Sequence, residues 1–311
     1  MPRRDCKRII VRTDKVMAAS PIRFAILGSN GQLGGDFCRQ LNGPVAALTR
    51  AQADLTNGDQ LRQTLQDVRP EVVINCAAYN LVDRAEHEPE AALAVNAWGV
   101  RQLALVCRDL GCVLVHFSTD YVYGLEDGRQ TPYRETDAPG PVSVYGLSKL
   151  AGEYVVRSLC PKHFVVRTCG LYGAWGRGGK GGNFVETMLR LGLAGKPLRV
   201  VHDQVCTPSY SADVAALTME LLQTDRFGLY HITNAGSCSW YEFAQSIFDQ
   251  ANISADLTPI SSAQYGAPAR RPAYSVLETK KIDGFLRTPR PWKEALGAYL
   301  QERSHPDRFR E

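Results

Sequence analysis

The sequence predicts an α/β protein built on a doubly wound parallel sheet, with a smaller C-terminal domain beside it. Two observations support this prediction. Short apolar runs of strand length alternate with segments of helical period, and the first run ends in the glycine-rich turn Gly28–Gly34, after which a helix begins. Because neighbouring parallel strands are joined by crossover helices, the alternation indicates a Rossmann-like sheet.

The predicted strands are apolar runs bounded by turn residues. They cover Ile22–Leu27, Val45–Leu48, Val72–Ile74, Val113–Phe117, Phe164–Val166, Leu198–Val201 and Tyr230–Ile232. Helical segments separate them, with apolar residues recurring every three to four positions. The predicted helices begin after the glycine-rich turn and near Tyr145, and cover Gln60–Leu65, Glu90–Asp109, Phe184–Leu193, Ser211–Leu222 and Trp240–Gln250.

Composition excludes several classes of protein. The chain has 311 residues, 44% of them apolar and 22% charged, with a formal net charge of +4. This is the balance of a globular protein and not of a disordered or fibrous one. No apolar stretch approaches the ~18 residues that span a bilayer, so no membrane segment is expected. Basic residues cluster only within residues 1–20, so no nucleic-acid partner is expected.

The nine cysteines indicate a reducing compartment. They are scattered and form no Cys-x-x-Cys, so neither a disulfide framework nor a zinc ligand set is expected. The six histidines are scattered too, and no metal site made by the protein is expected. Residues 1–20 lack the apolar core of a secretory signal. We therefore expect a cytoplasmic protein with a disordered leader over residues 1–20.

The glycine-rich turn predicts a dinucleotide site. Gly28, Gly31 and Gly34 follow the first strand directly and open a helix, whose N-terminal N–H groups and positive dipole end suit a pyrophosphate. Glycine is needed there because a side chain would block the approach of the backbone to phosphate. The position of the turn at the first strand–helix junction makes the pattern specific.

The second strand indicates which dinucleotide is preferred. An acidic residue at its end would hold the ribose 2′-OH of NADH, but Arg50 stands there and the nearest acid is Asp54. A cation suits a 2′-phosphate, so we expect NADPH, with NADH as the alternative. Arg50 could equally be a solvated surface residue. Asp54 and Leu55 are expected near the adenine.

Tyr145 and Lys149 are four residues apart and therefore lie on one face of a helix. An ammonium close to a tyrosine favours the phenolate and lowers the phenol pKa, which makes the tyrosine a better acid. The fourth strand ends near Thr119, which can hydrogen-bond a substrate oxygen at the ligand-binding edge of the sheet. The alternative is an ordinary pair on a helix surface.

We expect a dinucleotide-binding domain over residues 21–172, to which residues 206–230 return. Residues 173–205 and 231–311 are expected to form the substrate-binding domain. The boundary falls at Gly173–Asn183, which has six glycines in eleven residues, as is typical of a mobile loop or a domain crossing. The last sixty residues contain several prolines and are expected to be less regular.

Together these motifs resemble the extended short-chain dehydrogenase/reductase superfamily, and within it the dTDP-4-dehydrorhamnose reductase family. The resemblance covers residue 22 to about residue 300. The motifs that carry it are Gly28–Gly34, Val82–Glu86, Ser118–Tyr123, Tyr145–Lys149 with Gly152 and Glu153, Asn183–Phe184 with Met188–Leu189, Asp203–Gln204 with Pro208, Ser239–Ala244, and Arg271–Pro272 with Ser275.

The resemblance implies hydride transfer from a reduced nicotinamide to the C4 ketone of a deoxyhexose linked to a nucleoside diphosphate. It implies Thr119, Tyr145 and Lys149 as the catalytic residues. The implied cofactor residues are Gly28, Asn30, Gly31, Gln32, Leu33, Gly34, Arg50, Asp54, Leu55, Ala77, Ala78, Tyr79, Asn96, Tyr145 and Lys149. The implied substrate residues are Tyr121, Asn183 and Arg271. Asn96 would position the lysine through water, and the alternative is a plain helix residue. From their own chemistry, Arg270 and Arg271 could clamp the diphosphate, because a guanidinium matches phosphate geometry, and the alternative is a pair of solvated surface residues.

Other features of the family are less well matched. Relatives can use magnesium, but Glu86, Glu88 and Glu90 are more simply a solvated helix start. A homodimer is an open expectation. The family usually has a small residue and a tryptophan where Cys169 and Gly170 stand, and Trp175 is a candidate replacement for that tryptophan. Cys206 and Tyr274 also depart from the usual glycine and asparagine.

These departures bear on the identity of the sugar substrate more than on the reduction itself. The sequence is therefore compatible with three functions. The first is a dTDP-4-dehydro-L-rhamnose reductase. The second is another nucleotide-sugar 4-ketoreductase or an epimerase, and the third is a non-catalytic nucleotide-binding regulatory subunit.

Overall fold

The computed structural model describes residues 22–175 and 182–303. The strands within these ranges are β1 (Phe24–Leu27), β2 (Val45–Leu48), β3 (Val72–Asn75), β4 (Val113–Thr119), β5 (His163–Thr168), β6 (Leu171–Tyr172), β7 (Leu198–Val201), β8 (Val205–Cys206), β9 (Ser209–Tyr210), β10 (Gly228–His231), β11 (Cys238–Ser239) and β12 (Leu257–Ile260). The predicted leader, residues 1–20, and the middle of the predicted glycine-rich loop lie outside the described residues.

The helices are α1 (Gln32–Gln40), α2 (Gly58–Val68), α3 (Val82–Ala85), α4 (Pro89–Leu93), α5 (Val100–Leu110), α6 (Val144–Leu159), α7 (Phe184–Leu193), α8 (Ser211–Leu221), α9 (Trp240–Ala251), α10 (Ser262–Tyr265) and α11 (Trp292–Arg303). A π-helical turn, Ala94–Gly99, joins α4 to α5. Short 3₁₀ turns cover Asp120–Val122 and Lys280–Ile282. Within the described ranges, no helix is both long and apolar enough to cross a bilayer.

Six strands form one parallel sheet in the order β10-β5-β4-β3-β1-β2. The strand order reverses at β1, which pairs with β2 on one side and with β3 on the other, so that Leu27 lies opposite both Leu48 and Asn75. Such a switch point opens a crevice at the carboxyl ends of the strands, where α/β proteins bind ligands. The predicted doubly wound parallel sheet is confirmed.

Helices cover both faces of the sheet because its strands are buried on both sides. Side chains such as Leu27 and Val73 point to the layer of α2, α5 and α6. Their neighbours, such as Ile26 and Ile74, point to the layer of α1 and α8. The side chains of successive strand residues therefore point into two separate apolar cores.

A third core lies in the C-terminal half of the chain. Helices α7, α9 and α11 enclose it, with Met188, Phe243 and Tyr299 among its buried side chains. Strands β7 and β12 pair in parallel beside it, outside the six-stranded sheet. Ile282, from the same half of the chain, packs instead in the core beneath the main sheet. The predicted domain boundaries stay a prediction.

Two element predictions need correction. The helix predicted over Glu90–Asp109 is interrupted by the π turn, in which Asn96 is buried, and an apolar pattern does not reveal such a one-residue insertion. The last sixty residues are more regular than expected, because they include the twelve-residue helix α11. Its buried residues, Trp292, Ala295, Leu296 and Tyr299, follow the helical period.

Candidate active site

The glycine-rich turn brings two backbone segments into contact at the carboxyl edge of the sheet. Gly28 has a φ of +73°, and a Cβ there would lie 2.9 Å from the nitrogen of Ala77. A Cβ on Gly34 would lie 2.2 Å from the carbonyl oxygen of Gly28. Because only glycine fits both positions, α1 begins directly beside the ends of β1 and β3. Its unpaired N–H groups suit a phosphate.

A groove of about 530 Å³ lies beside this turn. The loops after β1, β2 and β3 form it, since the carboxyl ends of these parallel strands meet at one edge. It brings together the predicted residues Gly28, Asn30, Gly31, Arg50, Asp54, Leu55, Ala77, Ala78 and Tyr79, and it adds the unpredicted Cys76, Asn80, Leu81, Arg84 and Glu88.

Arg50 lies at the rim of this groove. Its side chain is 82% exposed, and its Nε donates a hydrogen bond to Oδ2 of Asp54 at 2.9 Å. The pair therefore holds a cation at the end of β2, where the sequence predicts a ligand for a 2′-phosphate. That role of Arg50 stays a prediction.

Three predicted ligand residues make side-chain contacts outside the groove, and their binding roles stay predictions. Leu33 is 6% exposed and packs with Phe37 in the core, so its side chain faces away from the groove. The amide of Asn183 donates to Gln32 Oε1 at 2.9 Å and to Gly173 O at 3.0 Å, while its oxygen caps α7. Gln32 and Asn183 therefore tie α1 to α7, a contact between residues far apart in the sequence.

The side chain of Asn96 holds the main chain of Tyr79, which lines the groove. Its oxygen accepts a hydrogen bond from Tyr79 N at 2.9 Å, and its nitrogen donates to Tyr79 O and to Ser148 Oγ. We expected Asn96 to position Lys149 through water. Its hydrogen bonds join the Tyr79 loop to helix α6. The positioning of Lys149 through water stays a prediction.

The predicted catalytic residues meet at the carboxyl edge of the sheet. Thr119 ends β4, and Tyr145 and Lys149 lie in the first turns of α6, which Ser143 caps through a hydrogen bond from Gly146 N. Thr119 lies close enough to Tyr145 to lower the pKa of its phenol. Lys149 is 3% exposed, and its Nζ donates to a main-chain carbonyl of β4 at 2.6 Å. The structure thus brings all three together.

The protonation of this site differs from the expectation in one respect. We expected the ammonium to lower the pKa of Tyr145. Burial instead raises the pKa of this phenol to about 12, against a smaller opposing effect of the neighbouring Thr119 hydroxyl group. Burial also lowers the pKa of Lys149 to about 8. In this structure the ammonium of Lys149 donates to β4.

Sequence reasoning missed Asp120, which follows Thr119 directly. Its carboxyl group is 2% exposed and accepts hydrogen bonds from Thr119, Cys169 and Ser275. Burial raises the pKa of this carboxyl. An acidic residue at the end of a buried strand is the signal that could have drawn attention to it, but its partners lie far away in the sequence.

A second cavity, of about 670 Å³, shares no lining residue with the dinucleotide groove. It is lined by residues that include Arg129, Gln204, Arg270, Arg271 and Tyr274. The ring of Tyr121 lies edge-on to the ring of Tyr145, with centroids 6.0 Å apart. Arg271 forms a two-pronged ion pair with Asp83 at 2.9 Å, so this predicted clamp is already anchored to the sheet domain.

The missing aromatic residue after β5 is not replaced by Trp175. The Trp175 ring packs over Gly35 in α1, where a Cβ would lie 2.5 Å from it. Gly170 itself has a φ of +50°, and a Cβ there would lie 3.4 Å from the Trp240 ring. A side chain at position 170 would therefore be strained and crowded, which explains the glycine.

The acidic residues considered for magnesium have other partners. Glu86 accepts a hydrogen bond from Val144 N at 2.9 Å, and Glu88 accepts from Arg84 and from the Tyr79 hydroxyl. They are structural residues and not merely a solvated helix start. In the described ranges, no group of three or more His, Cys, Asp or Glu side chains is arranged to hold a metal ion.

Comparison with known proteins identifies the family. The model of the RmlD substrate binding domain matches residues 22–305. The chain is 39% identical to the spore coat polysaccharide biosynthesis protein SpsK of Bacillus subtilis, covering 91% of this chain and 98% of that protein. It is 40% identical to a dTDP-4-dehydrorhamnose reductase of Mycolicibacterium smegmatis, covering 88% and 84%.

A solved structure agrees over the same length. The dTDP-4-dehydrorhamnose reductase of Bacillus anthracis, in complex with NADP, is 40% identical with a TM-score of 0.86, covering 91% of this chain and 99% of that one. Sequence and structure thus match along nearly the whole chain. The chain therefore belongs to the RmlD substrate binding domain family, as its motifs predicted.

Proposed function

We propose that this protein reduces the C4 ketone of dTDP-4-dehydro-L-rhamnose to give dTDP-L-rhamnose, with NADPH as the reductant. One observation carries the proposal: Thr119, Tyr145 and Lys149 converge at the carboxyl edge of the sheet, the edge at which the loops of the dinucleotide groove also lie. The dTDP-4-dehydrorhamnose reductases among its relatives support this choice of substrate.

The groove fits a dinucleotide, since the close backbone contacts at Gly28 and Gly34 leave the turn free of side chains. The turn and the first N–H groups of α1 would hold the pyrophosphate, and Asp54 and Leu55 would lie near the adenosine. Arg50 would meet a 2′-phosphate. When bound, the reduced nicotinamide supplies the hydride for the ketone. The NADP in the Bacillus anthracis structure supports NADPH.

Tyr145 is the proton donor in this proposal. With a pKa of about 12, its phenol keeps its proton at neutral pH and gives it up only to a stronger base, such as the oxygen of a reduced carbonyl group. Lys149 lies one helical turn along α6. With a pKa of about 8, it carries its charge at pH 7 and favours the phenolate once the proton has moved.

The Arg271 cavity would receive the nucleotide sugar. Guanidinium groups match phosphate geometry, and Arg270 and Arg271 both line this cavity. The Arg271 side chain is 18% exposed and held by Asp83, so it is fixed before a ligand arrives. Tyr121, beside Tyr145, would line the sugar.

We further propose a cytoplasmic homodimer. Trp98, Leu147 and Tyr154 are each more than half exposed and lie on the packed pair formed by the π turn and α6. Apolar side chains on neighbouring helices suit contact with a second copy. Sedimentation velocity over a range of concentrations tests this, with and without magnesium. A single species of monomer mass under all conditions would contradict it.

The test of the activity uses the purified protein, NADPH and dTDP-4-dehydro-L-rhamnose generated in situ by the enzymes that precede it. We expect loss of the reduced-nicotinamide absorbance and formation of dTDP-L-rhamnose. Tyr145→Phe should abolish turnover with little loss of NADPH affinity. Tyr145→Phe with wild-type activity would remove Tyr145 from the mechanism.

The same experiment separates the alternatives. Reduction of a different 4-keto sugar nucleotide would change the substrate and keep the chemistry. Tightly bound cofactor after purification, with interconversion of epimers and no net NADPH loss, would indicate an epimerase. NADPH binding without turnover of any keto sugar would indicate a regulatory subunit.

A further inference from the structure

The motif Val82–Glu86, which forms α3 and the residue after it, lies beside both candidate binding sites. Arg84 lines the dinucleotide groove. Its neighbour Asp83 is hydrogen-bonded instead to the segment Ala269–Arg271, which lines the Arg271 cavity. The side chain of Asp83 therefore belongs to the substrate side of the molecule, although it comes from the sheet domain.

Asp83 holds the segment Ala269–Arg271 through three hydrogen bonds. Nη1 of Arg271 donates to Asp83 Oδ1, and Nη2 donates to Oδ2, each at 2.9 Å. Ala269 N also donates to Oδ1, at 3.1 Å. Hydrogen bonding from Arg271 lowers the pKa of the Asp83 carboxyl group from its ordinary value of 3.8, so this group is ionised at neutral pH. One carboxylate thus holds both the main chain and the guanidinium group of the segment.

These bonds decide which N–H groups of Arg271 stay free. A guanidinium group has five N–H donors in a fixed planar fork. The two on Nη1 go to Asp83 and to the carbonyl oxygen of Ala269, the latter at 3.0 Å. One of the two on Nη2 goes to Asp83. In the described part of the chain, no acceptor takes the other Nη2 hydrogen or the Nε hydrogen, and these two N–H groups lie on one edge of the guanidinium plane.

This free edge is a two-pronged site for an oxyanion. Arg167 uses the same edge, because its Nε and Nη2 donate to the two carboxylate oxygens of Glu153 at 2.8 and 2.6 Å. Phosphate oxygens match the same fork. Arg271 lines the Arg271 cavity and Asp83 does not. A ligand in this cavity therefore meets the guanidinium group on an edge that Asp83 leaves free.

Asp83 is itself fixed relative to the proton donor Tyr145. Glu86, three residues after Asp83, accepts a hydrogen bond from Val144 N at 2.9 Å. Val144 is the first residue of α6 and directly precedes Tyr145. The segment that holds Arg271 is therefore anchored to the start of the helix that carries Tyr145.

We propose that Asp83 is a positioning residue for the nucleotide sugar: it holds Arg271 so that the Nε and Nη2 edge of the guanidinium group receives the diphosphate. The inference rests on the proposed function, in which Arg271 meets the diphosphate. It assigns Asp83 a role in binding an anion although the charge of Asp83 repels anions, so the benefit of a fixed fork must exceed that repulsion.

The opposite signs of these two effects supply the test. Asp83→Ala removes a negative charge near the bound anion, and charge alone predicts tighter binding of dTDP. Positioning predicts weaker binding, because the released arginine must be ordered when the ligand arrives. In the full-length protein we expect the dTDP Kd to rise about tenfold, measured by titration calorimetry. The NADPH Kd should stay within about twofold of wild type, which shows that the variant is folded.

Asp127→Ala is the matched control. Asp127 lines the same cavity, its side chain is 93% exposed, and it lies 3.8 Å from Arg270. This variant removes the same charge from the same cavity and leaves Arg271 held by Asp83. It should bind dTDP at least as tightly as wild type. Asp83→Ala that behaves like this control would overturn the proposal.

A double variant shows whether Asp83 acts through Arg271. Arg271→Ala should weaken dTDP binding by about tenfold or more. If Asp83 acts only by holding that side chain, adding Asp83→Ala to Arg271→Ala should cause no further loss. Losses that multiply in the double variant would contradict the proposal, since Asp83 would then act on the ligand by another route.

Asp83→Asn takes the place of Asp83→Ala if the alanine variant does not fold. The amide keeps one acceptor oxygen and loses the other, so the dTDP Kd should rise about threefold. In steady-state reduction, KM for the sugar nucleotide should follow the dTDP Kd, with kcat within about threefold of wild type. An unchanged Kd in Asp83→Asn, or a loss confined to kcat, would count against the positioning of the diphosphate.

A failure of the proposed function would look different. In that case the wild-type protein binds dTDP and NADPH but reduces no keto sugar. The dTDP titrations of Asp83→Ala, Asp127→Ala and the double variant need no turnover and still test the inference. Wild-type protein that binds no dTDP would overturn the inference directly, whatever it reduces.

Discussion

Lys149 Nζ donates a 2.6 Å hydrogen bond to the carbonyl oxygen of Phe117. This bond joins the helix that carries Tyr145 to the strand that ends at Thr119. A buried ammonium costs free energy, as the lowering of its pKa to about 8 indicates. The chain therefore places a charge at the junction of its two catalytic elements, at some cost in stability.

Lys149→Met should separate the catalytic and structural roles of this charge. Methionine fills a similar volume and has no donor, so we expect kcat to fall about 100-fold or more while the midpoint of thermal unfolding stays the same or rises. Steady-state kinetics and calorimetry measure the two effects. Lys162→Met, at an exposed lysine, is the control and should change neither.

Gly34→Ala should abolish dinucleotide binding. The new methyl group would lie 2.2 Å from the carbonyl oxygen of Gly28, so the turn must open and its N–H groups must move. We expect the NADPH dissociation constant to rise at least tenfold, measured by titration calorimetry. Gly58→Ala is the matched control, because its Cβ would meet the nearest atom at 3.4 Å. Equal binding by both variants would argue against the turn as the phosphate site.

Arg167→Leu should destabilise the fold strongly. Arg167 is 1% exposed, and two of its nitrogens donate to the carboxylate of the fully buried Glu153 at 2.8 and 2.6 Å. Removal of the cation leaves that carboxylate unpaired, which costs about 3–5 kcal/mol of unfolding free energy. Urea denaturation measures this. Arg62→Leu, at an exposed ion pair, should cost less than about 1 kcal/mol.

Titration of Asp36 should lower the free energy of unfolding as the pH rises from about 4 to about 6. Burial raises its pKa from 3.8 to about 6, although Ser211 and Arg39 oppose the rise. Between these values the folded protein holds a proton that the unfolded chain has lost, so the stabilising contribution is complete below pH 3.8 and is lost through pH 6.

Asp36→Asn tests this, because the amide does not titrate. It should remove that slope and stabilise the protein at pH 7 by at most about 3 kcal/mol. Urea denaturation at several pH values measures both effects. An unchanged slope in the variant would show that another group titrates.

Local sequence was enough to predict the sheet and the dinucleotide turn. Strand Val113–Thr119 is a continuous buried run, and Gly28 follows the first such run directly. The spacing of Tyr145 and Lys149 also predicted that they share the start of one helix. These features depend on neighbours a few residues apart, where periodicity and turn chemistry are informative.

The partners of the site residues could not be predicted in the same way. Asp120 is bonded to Ser275, and Arg271 to Asp83, across more than 150 residues of sequence. Nothing in the local pattern of either residue specifies the other. The charge of Lys149 was predicted to act on Tyr145, but the carbonyl group that binds it belongs to a neighbouring strand.

The position of β10 has a consequence for synthesis of the chain. Strand β10 pairs with the outer edge of β5, although α7, β7 and α8 are made between them. A nascent chain that ends before Gly228 therefore presents the unpaired N–H and C=O groups of His163–Thr168. Open edges of this kind join other unfolded chains. Early termination between these strands should thus give aggregates, whereas termination after His231 leaves β5 covered by β10.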